Sequence, residues 1–199
     1  MSKSLRIIGG SAKGRLLKAP DTDKCRPTTE KTREAVAATL RYLIDADTRV
    51  LDLYAGSGAL GLELCSLGAG SCVFVDQVTY SIEDNVEKLG WKEKCKVWRG
   101  DGVRFLKTHK GLAFDIILID PPYAKENLLD ETLAAVFECK IIAPGGLIVA
   151  EHAPQYKPQL PEGLQHVRSK RYGSTNISYY AVRGHNIFKP AQFQVQEFT

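Results

Sequence analysis

No apolar run in this 199-residue chain approaches the roughly 18 residues that a membrane-spanning helix needs, so no membrane association is expected. The opening residues, Met1-Ser2-Lys3-Ser4-Leu5-Arg6, lack the apolar core of a secretory signal. Five cysteines (Cys25, Cys65, Cys72, Cys95, Cys139) make no Cys-x-x-Cys pair, and their odd number suits a reducing compartment better than a disulfide framework. The expectation is a cytoplasmic protein. Four histidines (His109, His152, His166, His185) show neither metal-ligand spacing nor a nucleophile partner, so no metal site is expected. Internal repeats and low-complexity segments are absent as well. The length allows one well-buried α/β domain with a small appendage and is too short for two full domains.

What is present is distributed unevenly. Residues 1–41 hold ten Lys/Arg against four acids, a balance of +6, whereas the remaining 158 residues hold 17 bases and 19 acids, a balance of −2. A basic segment on a near-neutral body favours a phosphate-backbone partner, although a solvated charged face has the same composition. Arg6–Gly10 and Gly14–Lys18 flank a Gly/Ser/Lys turn and read as a β-hairpin over 5–18. Thr28 or Thr29 caps a helix running to about Tyr42.

From Arg49 the pattern becomes strand–helix alternation. Strands are expected at 50–53, 71–75, 96–98, 114–119 and, after a Pro-Gly-Gly turn, 146–150. Helices fall between them at 59–67, 80–89, 103–107 and 127–137. Nearly continuous apolar strands imply a parallel sheet covered on both faces. Residues 165–172 and 177–183, joined by Gly173-Ser174-Thr175-Asn176, read instead as an antiparallel strand pair. The division expected is a basic hairpin and helix over 1–42, an α/β domain over 43–184 and a surface tail over 185–199.

Gly56-x-Gly58-x-x-Gly61 follows the first strand and opens a helix, the arrangement of a nucleotide-binding turn at the carboxyl edge of a sheet. The bare pattern fits both NAD and S-adenosylmethionine. Asp52 favours the latter, because a carboxylate near the loop (Tyr54-Ala55-Gly56-Ser57-Gly58) suits a methionine ammonium better than a pyrophosphate. Asp76, ending the second strand, is suited to a ribose diol. Asp101, after the third, is suited to an adenine amino group or to capping a helix.

Ile117-Leu118-Ile119-Asp120-Pro121-Pro122-Tyr123 places an acid, two prolines and an aromatic directly after a buried strand. The prolines fix the backbone and remove two N–H donors. The Asp120 carboxylate and the Pro121 carbonyl can then hold both N–H groups of an exocyclic base amine, while Tyr123 stacks on the base. The expected catalytic group is therefore Asp120, Pro121, Pro122 and Tyr123.

Asp-Pro-Pro-Tyr after the fourth strand, together with the Asp-x-x-x-Gly-x-Gly loop of the first, resembles the amino-methyltransferases of nucleic acids. Arg6-Ile7-Ile8-Gly9-Gly10, Gly14-Arg15, Arg26-Pro27-Thr28, Arg33-Glu34-Ala35 and Tyr172-Gly173-Ser174-Thr175 resemble, more narrowly, the RsmD family. The resemblance covers roughly residues 5–183. It implies a doubly wound, mostly parallel seven-stranded sheet of the Rossmann-like methyltransferase type with an N-terminal hairpin extension. It also implies methyl transfer from S-adenosylmethionine, released as S-adenosylhomocysteine, to a guanine amine of 16S ribosomal RNA, naked or in a small-subunit assembly particle. Asp76 stands where many members carry Glu, which shortens the reach to the ribose. Lys13, Arg15, Lys18 and Arg26 are the expected RNA contacts, and Arg26-Pro27-Thr28 shapes a base pocket, covers the cofactor or simply leads into a helix cap. Three other readings remain at this level: an adenine amino-methyltransferase of DNA or RNA, an NAD-dependent oxidoreductase, and a non-catalytic RNA-binding protein.

Overall fold

The computed structural model describes residues 5–20, 29–122 and 127–185. Its first long element is α1 (Glu30–Leu40), capped by Thr29, whose hydroxyl accepts the Thr32 amide at 3.2 Å, and continued by a 3-10 turn over Arg41–Leu43. Then follow β1 (Arg49–Leu53), α2 (Ala59–Leu67), β2 (Ser71–Asp76), α3 (Tyr80–Leu89), β3 (Cys95–Arg99) and α4 (Gly102–Thr108). The chain continues through β4 (Phe114–Ile119), α5 (Leu128–Glu138), β5 (Ile142–His152), β6 (Leu164–Tyr172) and β7 (Thr175–Val182). Gly68 and Gly90 end α2 and α3 with positive φ, as glycines just past a helix do.

The strands form one sheet in the order β3-β2-β1-β4-β5-β7-β6, parallel except that β7 runs antiparallel to both neighbours. Buried residues of α1, α2 and α3 pack on one face with Val50, Phe74 and Leu118. Those of α4 and α5 pack on the other with Leu51, Leu53 and Ile117. The strand order reverses between β1 and β4, which is where doubly wound sheets leave a crevice for ligands.

One expectation is corrected. The fifth strand extends to Ile142, because the Ala143-Pro144-Gly145 stretch is absorbed as a bulge against β4 instead of forming a turn ahead of the strand. The N-terminal hairpin forms as a short one, an antiparallel bridge of Arg6 with Leu16 around a 3-10 turn at Gly10–Ala12. The Ile7 amide donates to the Arg15 carbonyl at 3.0 Å, the Gly14 amide to the Ile7 carbonyl at 2.9 Å and the Leu17 amide to the Leu5 carbonyl at 2.9 Å. Toward its turn the backbone bonds α2 instead: the Ile8 and Gly9 amides donate to the Glu63 carboxylate at 2.8 and 2.7 Å, and the Ala12 amide to the Ser66 hydroxyl at 2.9 Å. The contact is close enough that a Cβ on Gly10 would lie 1.8 Å from the Ser66 carbonyl oxygen.

Residues 5–17 therefore share the core of the sheet. Ile7, Ala12 and Leu17 are buried in the same cluster as Leu62, Phe74 and Val86. Burying two large aliphatic side chains contributes about 3–6 kcal/mol, well beyond what surface charges supply. Val36, Leu40 and Leu43 join that cluster, so the position expected as a boundary, 42/43, lies within continuous packing. Of the expected tail, residues 186–199 lie outside the described residues.

Asn85, fully buried on α3, closes the arrangement. Its side-chain oxygen accepts the Lys18 amide at 2.7 Å, and its NH2 donates to the Lys18 and Ser57 carbonyls, both at 3.0 Å. One side chain thus binds the N-terminal segment to the glycine turn. Asn85→Ala leaves a half-buried amide and two half-buried carbonyls without this partner, so a stability loss of about 1–3 kcal/mol is expected in urea titration. An unchanged midpoint would mean that the segment is held without this clamp.

Candidate active site

At the end of β1 the chain turns sharply toward β2. Tyr54 takes a left-handed φ of 61°, costly for an aromatic residue, and the surroundings hold it there. The Tyr54 and Ala55 amides both donate to the Val75 carbonyl, at 2.9 and 3.3 Å. The phenol oxygen hydrogen-bonds the Thr132 hydroxyl on α5 at 2.7 Å, and burial pushes its pKa up to about 12, so the ring stays neutral. Gly56 follows with φ 57°, and a Cβ added to it would meet nothing within 4 Å. The backbone at this turn is bare toward the carboxyl edge of the sheet, as close approach by a ligand requires.

Three acids rim the turn, and each has a structural task. Asp52 is buried beneath it, with Oδ2 accepting the Gly61 amide at 3.1 Å. Burial raises its pKa to about 7, the Gly61 hydrogen bond opposing the shift and the nearby Asp76 charge adding to it. Asp76 accepts the Gly56 amide at 2.8 Å through Oδ2 and the Val78 amide at 2.9 Å through Oδ1, tying the end of β2 to the glycine turn. Asp101 caps α4, accepting the Arg104 amide at 2.9 Å, so the helix-cap reading is realised. A carboxylate oxygen has two lone pairs, so these bonds leave acceptor capacity on each acid.

Beside them lies the end of β4. Leu53 pairs with Ile119, which sets Asp120 next to Tyr54, and the Asp120 amide donates to the Leu53 carbonyl at 3.4 Å. Pro121 is buried and Pro122 exposed, while Tyr123 lies outside the described residues. The acid–proline segment and the glycine turn are thus adjacent across the strand-order reversal.

Residues 5–181 match the family described as Conserved hypothetical protein 95. Ribosomal RNA small subunit methyltransferase D of Escherichia coli K12 is 34% identical over 182 residues, covering 90% of each chain. The Bacillus subtilis protein YlbH, whose name proposes an rRNA methyltransferase, is 36% identical over 186 residues, 90% of this chain and all of that one. Among solved structures, Escherichia coli yhhF, described as a proposed methyltransferase, superposes with a TM-score of 0.79 at 30% identity, covering 89% of this chain and 97% of that one. The chain belongs to the RsmD family.

Within this RsmD-family fold, Asp52, Tyr54, Ala55, Gly56, Ser57, Gly58, Asp76, Asp101 and Asp120 gather along one edge of the sheet, together with Pro121 and Pro122. Of the basic residues of the N-terminal segment, Lys18 lies near that edge, its backbone joined through Asn85 to Ser57, whereas Lys13 and Arg15 do not. Lys13 follows the turn that packs on Ser66 and Leu67, at the opposite end of α2 from the glycines, and Arg15 donates to the Lys88 carbonyl at 2.6 Å, near the C-terminal end of α3. Lys18 lies higher on α3, 2.7 Å from the Asp84 carboxylate and 5.3 Å from the Tyr80 ring centroid. Arg26 lies outside the described residues. Sequence reasoning missed Thr132, Glu63 and Asn85. Asn85 sits between Ile82 and Val86 on the buried stripe of α3, and a polar residue at such a position was the available signal.

Asp52 supplies a pH signature. Its folded pKa of about 7 exceeds the ordinary value of 3.8, so between these limits the folded chain holds a proton that the unfolded chain has lost. Stability from this group is complete below about pH 4 and is lost as the pH rises to about 7, by at most roughly 4 kcal/mol. Urea titrations of wild type and Asp52→Asn across pH 4–8 are expected to converge at low pH and diverge at neutral pH, with the variant relatively more stable there. Parallel profiles would place the Asp52 pKa near that of a solvated carboxylate.

Proposed function

We propose that this protein transfers the methyl group of S-adenosylmethionine to the exocyclic amine of a guanine in 16S ribosomal RNA, naked or in a small-subunit assembly particle, in the cytoplasm. Membership of the RsmD family supports the reaction class and the RNA. The observation that carries the reading is the backbone bond from Asp120 to Leu53, which seats the acid–proline segment beside the acid-rimmed glycine turn.

The turn suits a cationic ligand. A dinucleotide pyrophosphate brought to Gly56–Gly58 would approach Asp52, Asp76 and Asp101, and like charges at such a site repel. A ligand carrying an ammonium and a sulfonium is drawn in by the same acids. The bare backbone at Gly56 accommodates its approach. In this reading Asp52 faces the ammonium, Asp76 accepts from the ribose hydroxyls with its remaining lone pairs, and Asp101 accepts from the adenine amine. Tyr54, Ala55, Ser57 and Gly58 hold the turn in shape. When bound, S-adenosylmethionine supplies a methyl group activated by its sulfonium and leaves as S-adenosylhomocysteine.

Asp120 and Pro121 prepare the acceptor. A base amine is a weak nucleophile because its lone pair is delocalised into the ring. The Asp120 carboxylate accepts one N–H and the Pro121 carbonyl the other, which turns the lone pair out of conjugation and favours positive charge developing on nitrogen. The surplus proton passes to Asp120 or to water. Pro122 stiffens the segment, since it has no N–H to donate elsewhere, and Tyr123 stacks on the base.

Asp120→Ala is expected to lower single-turnover transfer to 16S ribosomal RNA by about 100-fold or more, roughly 3 kcal/mol of transition-state stabilisation. Its S-adenosylmethionine affinity, measured by calorimetry, should stay near wild type. Near-normal turnover in this variant would remove Asp120 from the mechanism.

A further inference from the structure

The catalytic edge is acidic. Asp52, Asp76, Asp101 and Asp120 lie along it, and Glu151 near the end of β5 joins them, accepting the Thr175 hydroxyl at 3.0 Å. A polyanion brought to Asp120 meets like charge there and needs cations close by. The antiparallel part of the sheet supplies them: from residue 163 to residue 183 the chain carries Arg168, Lys170, Arg171 and Arg183 and no acid.

Strand register shows where these bases lie. Ile119 pairs with Ala150 on β5, the next residue Glu151 pairs with Ile177 on β7, and Ile177 pairs with Lys170 on β6. Lys170 is therefore level with Asp120 and three strands across, about 14 Å at ordinary strand spacing. Lys170 and Arg171 are both exposed, and as neighbours on a strand they project to opposite faces. Lys170 Nζ lies 5.5 Å from the Tyr172 ring centroid, and Arg171 Nε donates to the Gly173 carbonyl at 3.0 Å. Among the described residues neither takes part in an ion pair. Arg168 is turned inward instead, over the Tyr179 ring and onto the Thr39 hydroxyl.

The platform is cross-braced. His152 Nε2 meets the Ser178 hydroxyl, Ser178 meets Ser169, and Ser169 meets His166 Nε2, each at 2.7 Å. This chain of bonds links β5, β7 and β6 and braces the strand backbone that carries the two cations.

We infer that the β6–β7 tip, through Lys170 and Arg171, docks phosphates of the substrate RNA that flank the target guanine. The inference rests on the proposed RNA methylation. It places the RNA-contacting charge on the catalytic edge, whereas Lys13 and Arg15 lie toward the opposite one. The competing role for such bases is to keep an edge strand from pairing with another chain.

The test is fluorescence anisotropy of a 16S ribosomal RNA fragment against wild type and Lys170→Ala/Arg171→Ala over a range of salt. Loss of two phosphate contacts is expected to lower the log–log salt slope by roughly 1.5 and to weaken binding roughly tenfold at low salt. The S-adenosylmethionine affinity should not change. Lys107→Ala/Lys110→Ala removes equal charge at the far end of α4 and should keep the wild-type slope, which separates a local site from net charge. A wild-type slope in the Lys170/Arg171 variant overturns the docking surface, and self-association of that variant on gel filtration would then favour edge protection. Anisotropy reads binding alone. A wild type that binds RNA but transfers no methyl group would sink the functional reading and leave the docking surface standing.

Discussion

None of the nine residues of α2 is exposed, and much of the structure follows from that. A helix that is apolar nearly all round cannot rest on a sheet with its outer face in water. Here the outer face is covered by residues 5–17. The covering strand brings its own unpaired backbone groups, and α2 answers them with the two polar side chains it carries inward, Glu63 and Ser66. Ser66 also donates to the Gly9 carbonyl at 2.6 Å, and Arg33 on α1 donates to the Arg6 carbonyl at 3.2 Å. The glycine turn opens this helix, so the segment that covers α2 also steadies the turn, most directly through Asn85.

The candidate site is built on a second economy: the acids proposed to face a ligand also hold the backbone in place. Asp76 accepts two amides and Asp101 caps a helix, while Asp52 takes the Gly61 amide from below. Carboxylates crowded at one edge repel, and the raised pKa of Asp52 shows how that repulsion adds to burial. Tyr54 stores further strain in its left-handed backbone, held by the Val75 carbonyl and Thr132. Strain and like charge are thus concentrated at the carboxyl edge, where the proposed cationic cofactor would relieve the repulsion, and the core beneath offsets their cost.

The alternation from Arg49 onward was legible because its signals are local. Apolar strands are bounded by acids or glycines, and α2 and α3 end where a glycine takes positive φ. The gathering of the candidate residues at one edge was legible for the same reason, since each lies at or near the carboxyl end of a strand. The packing of the N-terminal hairpin was not. Its excess of bases masks Ile7 and Leu17, each of which follows an exposed residue and faces the core. The better clue lay fifty residues on, in Leu60, Leu62, Leu64 and Leu67, which cannot all face one sheet. Asn85 was hidden likewise, because its partners are backbone groups 28 and 67 residues away.

That displacement of charge bears on how a methyltransferase of this size reaches a large RNA. In the proposed reading the parallel strands hold the cofactor turn and the acid that meets the base amine, and an acidic edge suits a cationic cofactor. The cations that meet phosphate are then best carried on a different element, close enough to act on the same molecule and rigid enough to set its register. β6 and β7 meet both needs, because the antiparallel pairing returns the chain to the catalytic edge and the His152–Ser178–Ser169–His166 bonds brace the return. The departure from strand–helix rhythm at residue 163 thus has a physical use. A further crossover helix would have covered a face of the sheet, whereas an antiparallel pair places its turn, with Lys170 and Arg171 beside it, at the level of Asp120.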